Sequence, residues 1–525
     1  MATITQRLSK VGEERRKKTD HTVRWVAIVA AVVSIVAFFY FQALGVTLTY
    51  KDAISHLDIA RRVVDSPTTG LAQLGGVWLP LPHLLAMPFI WVDALYYSGF
   101  AGSIISMLAY VATSVLLYKI TYSLTNHKLA SVIAATIFIA NPNVLYMQST
   151  PMTELLLFAC MAGMVYGMQQ WAITDQSKYL VGAAAAGLMG TVTRYEAWVL
   201  LAVMMALVVF IAWRKQYKYL QVEGLTLAFL FVSIAGIVGW VIWNQLIFGD
   251  VLYFLIGDYA KPSLWVGTSE PAFGNWWVAF LTYYYAVLEN LWPAMAILMV
   301  IGLITMAVKE RFAPKILPAL SLTILFPFFV IALETGQRPL HVTPIENDMY
   351  NVRFGLLMVL PAAIAIGYLI SIFRTSKRME STVATIVILA ASAFVLISFL
   401  PNEGISVLKE PTAMIQKTNT VVTKETSDYL ASNYKDGKIL MESFGNDMIM
   451  FNAKIALHNN IYEGSYRLWE PALRYPVENE IQWIVMRHPG QLEPDRVYRD
   501  LHESAALDSY KLVFENQGYY VYERR

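Results

Sequence analysis

The sequence has 525 residues, 57% of them hydrophobic and only 15% charged, with a mean hydropathy of +0.48 and a formal net charge of +2. Repeated apolar runs of about 20 residues exclude a soluble globular chain and mark a polytopic membrane protein. The near-neutral balance gives no reason to expect a nucleic-acid partner. A single cysteine, Cys160 in an apolar run, rules out an intrachain disulfide and argues against a cysteine-based metal site.

Residues 1–24 form a basic segment carrying Arg15, Arg16, Lys17 and Lys18. The apolar run 25–46 that follows is too long for a cleaved signal peptide and lacks a small-residue cleavage site, so it is expected to be a retained first span. Apolar runs predict about eleven spans: 25–46, 98–118, 129–146, 152–172, 179–193, 195–213, 224–247, 284–308, 316–333, 354–373 and 382–400.

Basic residues in the short loops orient these spans. One side holds the N-terminal cluster with Lys119, Lys128, Lys178, Arg214, Lys215, Lys218, Lys309, Arg311, Lys315, Arg374, Lys377 and Arg378. The other holds only Lys51, Arg61, Arg62, Arg194, Lys261, Arg338 and Arg353. The expected topology is a multi-pass protein of the cell membrane with a cytoplasmic N-terminus and an extracytoplasmic C-terminal domain. Basic residues gathered on the disfavoured face point to anion binding.

Two outer segments are long. Residues 47–97 run through Gly75-Gly-Val-Trp-Leu-Pro-Leu-Pro-His83 into a proline-broken apolar stretch, which predicts a re-entrant or interfacial helix. Residues 248–283 carry Trp265, Trp276 and Trp277, suited to an interfacial belt. Residues 401–525 change to the composition of a soluble α/β domain. Strands are expected at 435–442 and 481–486, helices at 426–434 and 495–503, and a hairpin over 511–523. The predicted fold is an all-α membrane bundle, residues 25–400, with this extracytoplasmic domain attached.

Charged residues at the outer span ends are the candidate chemistry, because ionisable groups at membrane depth are costly unless used. In the segment 51–62, helical spacing puts Asp52, Ser55, His56 and Ile59 on one face and Asp58 within reach of Arg61 and Arg62. Asp52 either serves a site or caps its helix; Asp58 is expected to pair with the two arginines. Glu154 opens a span after Pro151 and Thr153, where a first-turn acid also suits the helix dipole. Arg194 and Glu196 occupy a tight charged turn, and Arg338 to Arg353 brings His341, Tyr350 and Arg353 to the mouth of another span. A divalent metal on Asp52, His56 and Asp58, with His83 or His341, is a secondary reading, since no spacing here matches a specific metal motif.

Taken together, these positions resemble the GT-C superfamily of polyprenyl-phosphate-sugar-dependent glycosyltransferases. The resemblance is to the branch of protein O-mannosyltransferases and lipid A aminoarabinose transferases, and it covers the spans to about residue 400. It implies that Asp52 is the catalytic acid opening the first outer loop, although Ala53 stands where that family often has a second acid. It implies that Glu154 is the acid opening the fourth span, and that Lys261 contacts donor phosphate. The segment Asn351-Val-Arg-Phe-Gly-Leu-Leu-Met-Val-Leu-Pro361 is similar to the family's Arg-aromatic-apolar-Pro stretch. No Trp-Trp-Asp follows residue 400, which argues against oligosaccharyltransferase activity.

The implied activity is inverting transfer of a sugar from a polyprenyl-phosphate donor to a glycan, lipid or protein acceptor hydroxyl. Asp52 would act as base, with His56 orienting it and Glu154 holding the acceptor or the sugar. Lys261, Arg194 and Arg353 would meet the donor phosphate, and His83, Glu196 and Tyr350 would line the vestibule. A transporter or lipid flippase with a charged outer vestibule is the alternative, but it would be expected to show inverted repeats and midplane charges.

Overall fold

The first apolar run folds as helix His21–Ala43, whose 23 residues reach about 34 Å at a rise of ~1.5 Å, enough to cross a ~30 Å hydrocarbon core. The computed structural model describes residues 21–262, 269–400, 404–415, 417–490 and 493–525. The basic cluster Arg15–Lys18, Trp265 and Pro401 lie outside the described residues. Among the described residues eight helices are long and apolar enough to cross a membrane, or up to ten if each of two bent pairs is one span. Trp25, Val36, Phe39, Leu108 and Val308 stand exposed on these helices, as lipid-facing side chains would.

The eleven expected spans differ from these in four places, one being 224–247, which is two helices, Tyr219–Ser233 and Ala235–Phe248, bent by 42°. The run 129–146 is two helices, Lys128–Ile139 and Pro142–Gln148, bent by 61°. Asn141 caps the second by accepting from Val144 N at 3.1 Å, and Pro142 fits its first turn. The expected span 179–193 is helix Ser177–Thr191, whose 15 residues reach only ~22 Å. The expected span 284–308 is two helices, Trp276–Leu291 and Pro293–Glu310. Pro293 disfavours helical backbone in the residue before it, and Trp292 turns the chain at φ 61° and ψ 146°.

Helix-forming segment Val352–Ile372 is enclosed on nearly all sides and forms the axis of the bundle. Its first turns, Val352–Met358, are 3₁₀ and follow Asn351 in the left-handed region at φ 55°. A Cβ on Gly355 would stand 2.2 Å from Ala286 O, so glycine is what lets these turns press against helix Trp276–Leu291. That contact fixes the neighbouring Arg353.

The C-terminal sheet has strands β1 Lys438–Leu440, β2 Asn460–Ile461, β3 Ile481–Arg487, β4 Tyr510–Glu515 and β5 Tyr519–Arg524, in the order β2-β1-β3-β5-β4. The β1 strand is parallel to β2 and β3, while β3–β5 and β5–β4 are antiparallel. Trp483 and Val485 of β3 face one apolar layer and Ile484 and Met486 the other, as the two-residue period requires. Helix Thr418–Asn433 covers one face, and Trp469–Arg474 with Arg496–Leu501 the other.

Candidate active site

Helix Lys51–Arg62 lies under this domain, beyond the end of the first span. Its N-cap, Tyr50, offers no side-chain hydrogen bond, and Asp52 does not cap it either. The Asp52 carboxylate, 39% exposed, instead accepts from Arg353 Nη2 through Oδ2 at 2.6 Å. Arg353 Nε lies 3.2 Å from Glu154 Oε1 and Nη1 lies 3.9 Å from Glu410 Oε1, with the guanidinium 4.8 Å from the Tyr50 ring centre. Arg194 continues the chain of charge: Nη1 donates to Glu154 Oε1 at 3.0 Å and to Thr153 Oγ1 at 3.0 Å, and Nη2 pairs with Glu196 Oε1 at 2.8 Å.

Two arginines thus serve four carboxylates contributed by residues up to 358 positions apart, Asp52, Glu154, Glu196 and Glu410. Glu154, Glu196 and Glu410 are buried against these guanidinium groups rather than facing solvent. Glu410 also accepts from Val352 N at 3.0 Å and Tyr50 OH at 3.2 Å, yet burial holds its carboxyl above the usual range despite Arg353. Both guanidinium groups are held by carboxylates.

His56 does not orient Asp52. Its Nδ1 meets His83 Nε2 at 2.9 Å, and its ring lies 4.3 Å from that of Trp78. Burial holds both imidazoles below their ordinary range, His83 at about 3, so the pair is neutral. The pair lines a cavity of about 20 Å³ with Pro151, Met152 and Thr153, room for about one water. Tyr350 is pushed up to about 12, first by burial and then by the Asp52 carboxylate. Lys261 lies apart: it pairs with Asp258 at 3.0 Å in an exposed loop and shares no ion pair with the cluster among the described residues.

Asp58 pairs with neither arginine. Arg61 turns to Asp65 and Asp93, and Arg62 to Asp447 at 2.7 Å. Asp58 is wholly buried, takes one hydrogen bond from Tyr96 OH, and leaves Oδ2 without a partner. Burial pushes it up to about 7. The unfolded carboxyl titrates near ~3.9, so the folded protein binds this proton more tightly and loses stability as pH rises from ~4 to ~7. Asp58→Asn keeps the acceptor for Tyr96 without the charge. The expected result is a melting temperature equal to wild type at pH 3, below both values, and higher than wild type at pH 8; equal values at both would remove the buried charge from the account.

The residues of the metal reading turn to other partners. Asp52 turns to Arg353, His56 to His83 and Asp58 to Tyr96, while His341 sits between Glu270 and Asp348 at 2.9 Å each. Among the described residues no group of three or more His, Cys, Asp or Glu is arranged around a common ion position.

Sequence reasoning missed Glu410 and the roof. Ser55 Oγ meets Asp447 Oδ2 at 2.9 Å, and Asp447 also holds Arg62 and Ser443. Gln73 donates to Gly464 O at 2.9 Å, and Tyr466 OH to Ala72 O at 2.6 Å. The Ser55 and Arg62 contacts dock the C-terminal domain onto the helix that carries Asp52, and those of Ala72 and Gln73 dock it onto the turn Leu71–Leu74. No local pattern marks them, because each joins segments about 390 residues apart.

The sequence model of the family described as dolichyl-phosphate-mannose-protein mannosyltransferase matches residues 94–243, the stretch containing Glu154, Arg194 and Glu196. Bundle, sheet and match together define the GT-C type of membrane glycosyltransferase fold. Among solved structures, the chain is similar to the crystal structure of ArnT from Cupriavidus metallidurans bound to undecaprenyl phosphate. That similarity is at 11% identity and a TM-score of 0.58, covering 96% of this chain and 98% of that one. The apo oligosaccharyltransferase of Archaeoglobus fulgidus is similar at 11% identity and a TM-score of 0.47, over 89% of this chain and 70% of that one. No curated protein matches the sequence. The family model matches one stretch of the bundle, and the likeness to ArnT is one of fold along nearly the whole chain.

Proposed function

We propose that this protein is an inverting glycosyltransferase, moving a sugar from polyprenyl phosphate to an acceptor hydroxyl on the outer face of the cell membrane. The observation that carries this reading is the half-exposed Asp52 carboxylate. Arg353 tethers Oδ2, and Oδ1 has no hydrogen bond among the described residues. A carboxylate fixed by one oxygen and open at the other is suited to receive an acceptor proton. In the step proposed, the acceptor oxygen attacks the anomeric carbon as its proton passes to Asp52 Oδ1. The bond from that carbon to the phosphate oxygen breaks, and its electron pair leaves with the polyprenyl phosphate.

In this reading Arg353 and Arg194 hold the carboxylates in position, and Glu154 fixes both arginines beneath the acceptor. His83, Glu196 and Tyr350 belong to the walls. Single displacement requires that the product carry the opposite anomeric configuration from the donor, with one polyprenyl phosphate released per sugar moved. NMR of the product made by purified protein measures the configuration; a retained configuration, or sugar found bound to the protein, refutes the mechanism.

The same reading puts residues 402–525 outside and the N-terminus inside, on the basic-loop asymmetry. A periplasm-dependent reporter fused after Arg525 should be active, and a cytoplasm-dependent one silent. The reverse pattern would move Asp52 to the other face and end the outer-face assignment.

A further inference from the structure

The soluble domain carries a groove of about 350 Å³ between helices Trp469–Arg474 and Arg496–Leu501, the pair that covers one face of its sheet. Its polar walls are Glu470, Arg474, Tyr475, Arg496, Asp500 and Ser504. One network fixes their geometry. Arg496 Nη2 meets Glu470 Oε1 at 2.8 Å and Oε2 at 3.0 Å, and Nε meets Asp500 Oδ2 at 3.4 Å. Ser504 Oγ accepts from Ala506 N at 3.2 Å, which leaves its proton free to donate. Among the described residues, Arg496 Nη1, Asp500 Oδ1 and the Arg474 guanidinium have no hydrogen bond.

Tyr475 supplies an aromatic wall and is 60% exposed. Its backbone is pinned on both sides: N donates to Pro471 O at 2.8 Å, and O accepts from Asn479 N at 3.2 Å and Nδ2 at 2.8 Å. A tyrosine ring on a fixed backbone offers a broad contact surface at little cost in conformational entropy. Small-molecule sites of roughly 300–1,000 Å³ are mostly apolar. This groove is apolar only at Leu473 and the Tyr475 ring, and its two arginines balance its two carboxylates. An inorganic anion has no use for the ring, and an acyl or prenyl chain has none for the charges. Planar donors and acceptors, a hydroxyl and one aromatic face match a neutral ligand dense in hydroxyls, with patches of C–H between them. Both walls are also tied to segments docked on the outer loop. Arg496 N donates to Glu442 Oε2, and the neighbouring Ser443 meets Arg62 of the Asp52 helix. Glu470 lies shortly after Tyr466, whose OH reaches Ala72 O.

We propose that this groove is a carbohydrate-binding subsite, holding sugar units of an acceptor glycan. The Tyr475 ring stacks on the C–H face of a sugar, Glu470 and Asp500 accept from its hydroxyls, and Arg474, Arg496 Nη1 and Ser504 donate to them. The proposal rests on the glycosyltransferase reading and narrows its acceptor to one that carries sugar. The donor in that reading is held at the bilayer by its lipid, whereas this groove belongs to the soluble domain, which assigns it to the acceptor.

The test titrates purified full-length protein with a panel of neutral tetrasaccharides made of hexose or N-acetylhexosamine units, and with an uncharged tetrapeptide as a probe of another class. Wild-type protein should bind members of the panel. Tyr475→Ala should weaken that binding by roughly 10-fold, the upper scale of one aromatic contact, while Tyr475→Phe keeps the ring and stays within a few-fold of wild type. Asp500→Ala should weaken it by roughly 10-fold, as for one hydrogen bond to a charged group. Tyr475 and Asp500 are exposed, so all three variants should melt like wild type without ligand. Where transfer is measured, Tyr475→Ala should raise KM for a sugar-bearing acceptor more than it lowers kcat. No wild-type binding to any tetrasaccharide at millimolar concentration overturns the subsite. So does binding of the tetrapeptide in their place, or unchanged affinity in both alanine variants. Failure of the glycosyltransferase reading looks different: the tetrasaccharide binds through Tyr475 and no sugar is transferred.

Discussion

Asp52→Asn lowers sugar transfer by roughly 100- to 10,000-fold, the usual worth of a general base, while donor binding stays near wild type. Asparagine preserves the size and an acceptor oxygen for Arg353 Nη2, so the tether at 2.6 Å survives the change. What disappears is the proton acceptor. Asp52 is 39% exposed, so removing its charge places no new unpaired group in the interior. Glu154→Gln has a different expected outcome. Glu154 is buried between Arg194 and Arg353, so its loss shifts both arginines and reduces acceptor use more than donor use. A measured transfer rate with a polyprenyl-phosphate sugar separates the two. Near-normal transfer by Asp52→Asn beside an inactive Glu154→Gln exchanges their roles, and normal transfer by both removes the mechanism.

The sequence exposed this cluster because of where its members lie. Asp52, Glu154, Arg194, Glu196 and Arg353 each sit at an end of an apolar run, where a charge stands out against a hydrophobic background. Their pairing was not legible. Arg194 beside Glu196 suggested a local pair, but nothing local says that the same arginine reaches Glu154 forty residues away. Glu410 was invisible for the same reason: it follows the last span in an ordinary Lys-Glu-Pro sequence and acquires meaning only through Arg353 and Tyr50. His56 misled because helical spacing put it on the face of Asp52, whereas the distant His83 and Trp78 claim its ring.

Spans followed a similar division. Hydropathy located the long helices, since a continuous apolar run of about 20 residues has few other uses. It merged Trp276–Leu291 with Pro293–Glu310, because both sides of Trp292 are apolar and hydropathy does not register a backbone turn. Pro293 was the available signal, through the restriction it puts on the residue before it. In the soluble domain the apolar run 481–486 and the hairpin over 511–523 stood out, while the two-residue β2 was too short to carry any period.

Arg353→Met removes the hub of the buried charges, and its expected cost to stability is roughly 3–5 kcal/mol, the range for breaking a buried ion pair on one side. Asp52, Glu154 and Glu410 would then face one another with Arg194 as the sole remaining guanidinium. Methionine fills much of the volume, so the loss is one of charge more than of packing. The cost should therefore fall when a carboxylate is neutralised together with the arginine. In the double variant Arg353→Met, Glu410→Gln, the glutamine keeps an acceptor for Val352 N and Tyr50 OH while dropping the charge. Thermal unfolding of the two single variants and the double variant gives the coupling directly, and residues in one ion-pair network typically couple by about 0.5–3 kcal/mol. A double variant more stable than the sum of the singles predicts locates the cost in the unpaired carboxylate. Strict additivity would mean that Glu410 and Arg353 do not act on each other, and the 3.9 Å approach between them would then carry no energy.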